Sequence, residues 1–259
     1  MLNLRFFFLL ALVFSIFSID GAEALEPQWE YNTGGEISDV SISADGDYIA
    51  AVDTFEDKLF LFNKDSEDPI WNYSIDGARR VAISANGEYI VVGSDYYDKK
   101  VYFFSRESNT PLWDYSTGGT TYSVSISSEG DYISVGAGSG YGGGGNNIYL
   151  FSKDSSNPIW EHSASNQGQV LSTSMSSDGS YVVAAISHSV YVFEKEGDGN
   201  PLWSYDVDES LYSVSISDNG DFLAGSCSSL FLFSINESDG PIWTYDSTNG
   251  CVDYLAISA

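Results

Sequence analysis

Apolar and polar residues alternate with period two through most of this chain, and the alternation itself recurs. A small-residue strand appears as VSIS at Val40–Ser43, VAIS at Val81, VSIS at Val124, STSMS at Ser172, VSIS at Val214 and LAIS at Leu255. Period two is the mark of a pleated strand whose two faces meet different surroundings. The turn that follows reads SADGD, SANGE, SSEGD, SSDGS or SDNGD. Its Gly, after Asp, Asn or Glu, takes the positive φ that a tight hairpin demands. A second strand (YIAAV, YIVVG, YISVG, YVVAA, FLAGS) and a third (LFLF, VYFF, IYLF, VYVF, LFLF) come next. A fourth starts at a Pro-x-Trp segment such as PIWNY at Pro69. Proline has no amide hydrogen to give a ladder, so this strand belongs on the outer edge.

The register of the repeat is fixed by its rarest residues. Trp29, Trp71, Trp113, Trp160, Trp203 and Trp243 are all the tryptophans, and a proline sits two residues before each: Pro27, Pro69, Pro111, Pro158, Pro201 and Pro241. Four short strands in units of about 40–47 residues are the spacing of propeller blades. Small residues in the first strand suit the crowded axis where blades converge, and aromatic third and fourth strands fill the wider gaps farther out. The expected fold is an all-β propeller of four-stranded blades.

The run VSIS-x-DG-x-YIA…VYLF resembles WD40 repeats, and VYLF…PLW is similar to the repeats of pyrroloquinoline-quinone (PQQ) propellers. The resemblance covers Pro27 to the end and speaks for architecture. The Gly-His opening and closing Trp-Asp of true WD40 units are lacking, so the hydrogen-bond network those residues build is not expected. Quinoprotein dehydrogenases of the PQQ type hold the quinone on the axis between a Trp floor and adjacent cysteines, with calcium on Glu, Asn and Asp. Here the cysteines are not adjacent and every Trp belongs to an outer strand, so no quinone is expected.

The repeat predicts five complete blades, over about 37–73, 79–115, 121–162, 169–205 and 211–245. An outer strand at 27–31 and an incomplete sixth unit at 251–259 are left over. That arrangement does not close a ring. It implies a fragment of a propeller of six to eight blades, or a ring finished by a partner chain.

Composition changes the picture in two ways. Arg5 precedes a 14-residue uncharged run, Phe6–Ile19, and Ala22-Glu23-Ala24 offers small residues for cleavage. Residues 1–24 therefore read as a signal peptide ahead of a domain at 25–259, with a secreted or cell-envelope location and no membrane insertion after cleavage. Second, the net charge is −27. Without Arg5, Asp20 and Glu23, nine basic and 35 acidic side chains remain. Such a surface argues against nucleic acid and anionic membranes as partners, both being polyanions.

No catalytic constellation is present in the sequence. His162 replaces the Tyr of the W-x-Y strand and His188 lies in a tight loop, in different blades. The expectation is a non-enzymatic binding scaffold with an unknown protein, peptide or glycan as partner; the rivals are a propeller enzyme and a purely structural surface-layer repeat. Cys227 and Cys251, the two cysteines, fall on the same face of adjacent blades and are a candidate disulfide in an exported chain. Calcium is a weak cofactor candidate, at the acidic loops Asn63–Pro69 and Glu196–Asn200, where oxygens cluster; otherwise no cofactor is expected. Asn72 and Asn236 fit the glycosylation sequon. The binding face is expected at the loops between second and third strands. Phe55, Glu56 and Asp57 lie there, with Asp95, Tyr96, Tyr97 and Asp98, and with Tyr141 in the Gly-rich insert Gly136–Asn147. Exposed rings beside carboxylates suit a sugar or a cationic peptide.

Overall fold

The computed structural model describes residues 26–138, 145–226, 228–237, 239–246 and 255–257. The expected signal segment, Tyr141, both cysteines and most of the incomplete sixth unit lie outside the described residues. Two compact units are distinguished, residues 1–30 and 31–259. All strands among the described residues lie in the second.

Those strands form five four-stranded antiparallel sheets, each in simple sequential order, and no helix occurs among the described residues. The first sheet comprises β1 (Ile37–Ile42), β2 (Tyr48–Asp53), β3 (Lys58–Asn63) and β4 (Trp71–Ser74). The second holds β5 (Ala78–Ile83), β6 (Tyr89–Ser94), β7 (Lys100–Ser105) and β8 (Trp113–Ser116). In the third are β9 (Thr120–Ile126), β10 (Tyr132–Gly138), β11 (Asn147–Ser152) and β12 (Trp160–Ser163). The fourth consists of β13 (Val170–Met175), β14 (Tyr181–Ile186), β15 (Ser189–Glu194) and β16 (Trp203–Asp206). The fifth runs through β17 (Ser213–Ile216), β18 (Phe222–Ser226), β19 (Ser229–Ser234) and β20 (Trp243–Asp246).

Each repeated residue has a task between sheets. Among the described residues four hydrophobic clusters each join two successive sheets; Val81, Ile83 and Phe104 of the second sheet, for example, pack on Val52, Leu59 and Leu61 of the first. Five sheets joined by four interfaces form an open series. The serines of the VSIS strand stitch it near the axis: Ser41 Oγ accepts the Ile83 N–H at 3.1 Å, Ser174 that of Ile216 at 3.3 Å, and Ser215 that of Ile257 at 3.3 Å. Farther out, the indole N–H of Trp71 donates to the Arg106 carbonyl, that of Trp113 to Lys153, that of Trp160 to Lys195 and that of Trp203 to Ile235. The side chains of that same row of cations lie over tyrosines of the preceding sheet, Arg106 over Tyr48, Lys153 over Tyr89 and Lys195 over Tyr132. A third of the nine cations of the domain are thus fixed into the seams between sheets. The hairpin glycines carry positive φ, +76° at Gly130. A Cβ there would also meet the Tyr89 ring at 2.4 Å, so both backbone and packing require glycine.

No strand forms at 27–31, contrary to the outer strand expected there. Tyr31 still packs edge-on against Phe60 and Phe62, with centroids 5.7 and 5.1 Å away, as Tyr73 packs against Phe104 at 5.3 Å. It therefore takes the place that the W-x-Y tyrosine of a preceding blade would take.

The ladder between first and second strands slips at one matching place in the first four sheets. Ile37 opposes Asp53 while Asp39 opposes Val52, leaving Ser38 out; Arg79, Tyr122 and Leu171 are left out in the same way. Such bulges re-aim a side chain, and here all four point to the axis.

Candidate functional site

The turns that join second to third strands, and the connectors that lead into the next inner strand, crowd together at one end of the sheets. Between the first and second sheets they enclose a cavity of about 410 Å³ lined by Thr54, Asp57, Asp76, Gly77, Asp95 and Tyr97. Local geometry holds each wall. Asp57 adopts the left-handed region, φ 53°, which Asp tolerates better than most residues. Its carboxylate accepts the Gly77 N–H at 2.7 Å and its carbonyl accepts that of Ile75 at 2.8 Å. The Thr54 hydroxyl donates to the Ala78 carbonyl at 3.0 Å. Gly77 has φ +64°, and a Cβ on it would lie 2.1 Å from the Asp95 carboxylate, so only glycine lets that side chain reach the cavity. Asp95 itself is buried, donates its N–H to the Gly77 carbonyl and accepts that of Tyr97 at 2.8 Å.

Three carboxylates converge here. Burial raises the pKa of Asp95, against the hydrogen bond from the Tyr97 N–H and the field of Arg79, and the neighbouring Asp57 and Asp98 raise it further. Burial thus disfavours the ionised form of Asp95, and a cation beside it would favour that form. Beneath the cavity, Asp53 Oδ1 accepts the N–H groups of Glu36, Phe55 and Glu56 at 3.1, 2.9 and 2.9 Å, which shapes the turn.

The sequence-predicted residues divide accordingly. Asp57, Asp95 and Tyr97 share the cavity. Phe55 and Tyr96 are exposed outside it, Tyr96 against Tyr97 with centroids 4.0 Å apart. Glu56 pairs with Lys58 at 3.7 Å, and Asp98 accepts the Tyr102 hydroxyl at 2.8 Å. Asp76 was not singled out from the sequence. It sits in the connector after β4, 19 residues from both Asp57 and Asp95, and only the rule that such connectors end beside the second-to-third turns could have found it.

Other candidates have ordinary partners. The His162 ring nitrogens lie 2.8 Å from the Gly199 carbonyl and 3.1 Å from Gln167 Oε1, and its ring packs on Phe193. His188 contacts its neighbour Ser187. In the proposed calcium loops, Asp65 pairs with Lys64, and Asp198 accepts both nitrogens of Asn200. Among the described residues no group of three or more His, Cys, Asp or Glu is placed to hold a metal ion.

Residues 22–252 match the family model described as outer membrane protein assembly factor BamB, a PQQ-type repeat. The chain belongs to this family. A search of curated proteins returns no match. The residues do not fit a quinone cofactor. Trp71, Trp113, Trp160 and Trp203 are tied between sheets by their indole bonds. The axial mouth is instead lined by Ser38, Arg79, Tyr122, Leu171 and Tyr212.

Proposed function

We propose that this chain is a non-catalytic binding scaffold of the extracytoplasmic cell envelope, and that it takes a basic peptide segment of a partner protein at the acidic end of its first two blades. One observation carries the reading: Asp57, Asp76 and Asp95 face one cavity whose rim presents the exposed ring of Tyr97, with Phe55 nearby. Carboxylates beside an exposed aromatic face attract an ammonium or guanidinium group through both charge and ring quadrupole. The family description, an outer membrane assembly factor, and the signal-like residues 1–24 support the location.

The test uses a fluorescent peptide of alternating Lys and Gly, with a Glu-Gly counterpart, and anisotropy on the full chain at about 150 mM salt, where exposed charges farther apart than a Debye length of ~8 Å are largely screened. The Lys peptide is expected to bind and the Glu peptide not. Replacing Asp57 and Asp95 together by Asn should weaken binding about tenfold, an expectation of roughly 1.4 kcal/mol. The same number of Asp→Asn changes at Asp131 and Asp154, far along the chain, should weaken it less than about twofold. Equal losses from both pairs would reduce the interaction to bulk charge and sink the proposal.

A further inference from the structure

We infer that the axial mouth of the propeller is a second, oppositely charged site, which binds a small monocarboxylate with an apolar body. It is lined by different residues from the acidic loop cavity, although Arg79 acts on Asp95 of that cavity through its field.

The mouth is a cavity of about 500 Å³, within the range of small-molecule sites. Its wall is built from the bulged residues Ser38, Arg79, Tyr122 and Leu171, with Tyr212 in the matching position of the fifth sheet. The same backbone irregularity in four successive sheets thus delivers one polar residue, one cation and two apolar or aromatic side chains to a single point. Arg79 is one of only three arginines beyond residue 25, and Arg80 beside it is another. In a domain this acidic, two adjacent arginines at the axis are a local reversal of sign.

Arg79 is held ready without being consumed. Its guanidinium lies 5.4 Å from the centroid of the Tyr122 ring. Its Nε is buried and has no hydrogen-bond acceptor, and no carboxylate lies within ion-pair distance of it among the described residues. A buried donor left unsatisfied is costly, and a guanidinium fork matches the two oxygens of a carboxylate. Arg80 is differently employed. Its Nε donates to the Tyr122 carbonyl at 2.8 Å and one terminal nitrogen to the Arg79 carbonyl at 3.1 Å, which fixes the bulge and adds charge. Asp39 also lines the mouth, with its carboxylate on the Val81 and Val40 N–H groups. Arg80 acts on Asp39 and Arg79 lies in the field of Asp95, so little positive charge is left over, enough for a monoanion and too little for a phosphate dianion. Leu171, Tyr122 and Tyr212 give the ligand's body apolar surface.

Benzoate, its uncharged isostere benzamide, acetate and inorganic phosphate are the probes, titrated into the full chain with detection by ligand-observed NMR. Benzoate is expected to bind at least tenfold more tightly than benzamide and more tightly than acetate or phosphate. Arg79→Gln should weaken benzoate at least tenfold, Arg79→Lys less, and Lys153→Gln, in a seam away from the axis, less than twofold. Should Arg79→Gln fail to fold, phenylglyoxal modification of the unaltered chain serves instead, with peptide mass spectrometry; benzoate should protect Arg79 and leave Arg106 unprotected. Equal binding of benzoate and benzamide, tighter binding of phosphate, or no protection of Arg79 would each overturn the assignment.

Discussion

Matching sequence motifs behave differently inside the series of sheets and at its ends. Val81 and Ile83 of β5 are 5% and 7% exposed, buried against the first sheet, while the matching Val40 and Ile42 of β1 are both 59% exposed. At the other end, Trp243 and Tyr245 of β20 are 44% and 67% exposed, whereas Trp160 in β12 is 5% exposed and packs on Phe193 of the next sheet. The repeat does not bury its apolar residues within a unit; each sheet is covered by its neighbours. This is the nearest-neighbour logic of repeat architectures. The stability of a residue here depends on its place in the series as much as on its identity.

The largest expected effect comes from matched isoleucines. Ile83→Ala should cost about 2–4 kcal/mol, because it opens a cavity in a sheet–sheet cluster. Ile42→Ala should cost less than about 1 kcal/mol, since most of that side chain already meets water. Urea unfolding of both variants gives the comparison directly. Similar losses would mean that β1 is covered in solution. A smaller contrast is expected at the tryptophans. Trp113→Phe removes an indole donor to the Lys153 carbonyl at 2.9 Å and should cost about 1–2 kcal/mol. Trp243→Phe should stay within about 0.5 kcal/mol, the range of an ordinary surface change.

The same contrast explains what could be read from the chain. The four strands, the hairpins and the outer position of the Pro-x-Trp strand follow from period two, from Gly after Asp, Asn or Glu, and from a residue without an N–H. These are local causes, and they repeat. What was hidden depends on how strands and sheets meet rather than on the pattern within a strand. The absence of a strand at 27–31 is one case, since PQWEY carries the same fourth-strand pattern as the segments that do form one. Asp76 is another, brought to Asp57 and Asp95 by the way sheets stack. The bulges are a third: Arg79 falls where its neighbours in the repeat are Ser, Tyr and Leu, and no periodicity announces that this position leaves the ladder and faces the axis.

The smallest effect, and the subtlest use of the comparison, sets an aspartate of the first sheet against one in the turn of the second. Burial would raise the pKa of Asp53, but the Thr33 hydroxyl and the N–H groups of Glu56, Phe55 and Glu36 outweigh it and hold the carboxyl below its ordinary 3.8. A carboxyl depressed on folding contributes stability above its unfolded pKa and loses it as pH falls through the folded value. Asp95 is opposite: burial holds it above 3.8. Its ionised form is disfavoured on folding, so it returns stability as pH falls from neutral toward its unfolded pKa. Asp95→Asn should therefore stabilise the chain at pH 7, with the gain shrinking on acidification toward pH ~4. Asp53→Asn should destabilise it at pH 7, with the loss shrinking only below pH ~4. Chemical unfolding at a series of pH values separates the two curves. A stabilising Asp95→Asn that also weakens the Lys peptide would show that this carboxylate is kept ionised at a cost to the fold, as a binding residue is and a structural one is not. If the variant were neutral in both measurements, Asp95 would be only a turn residue, and the cation site would have to rest on Asp57 and Asp76 alone.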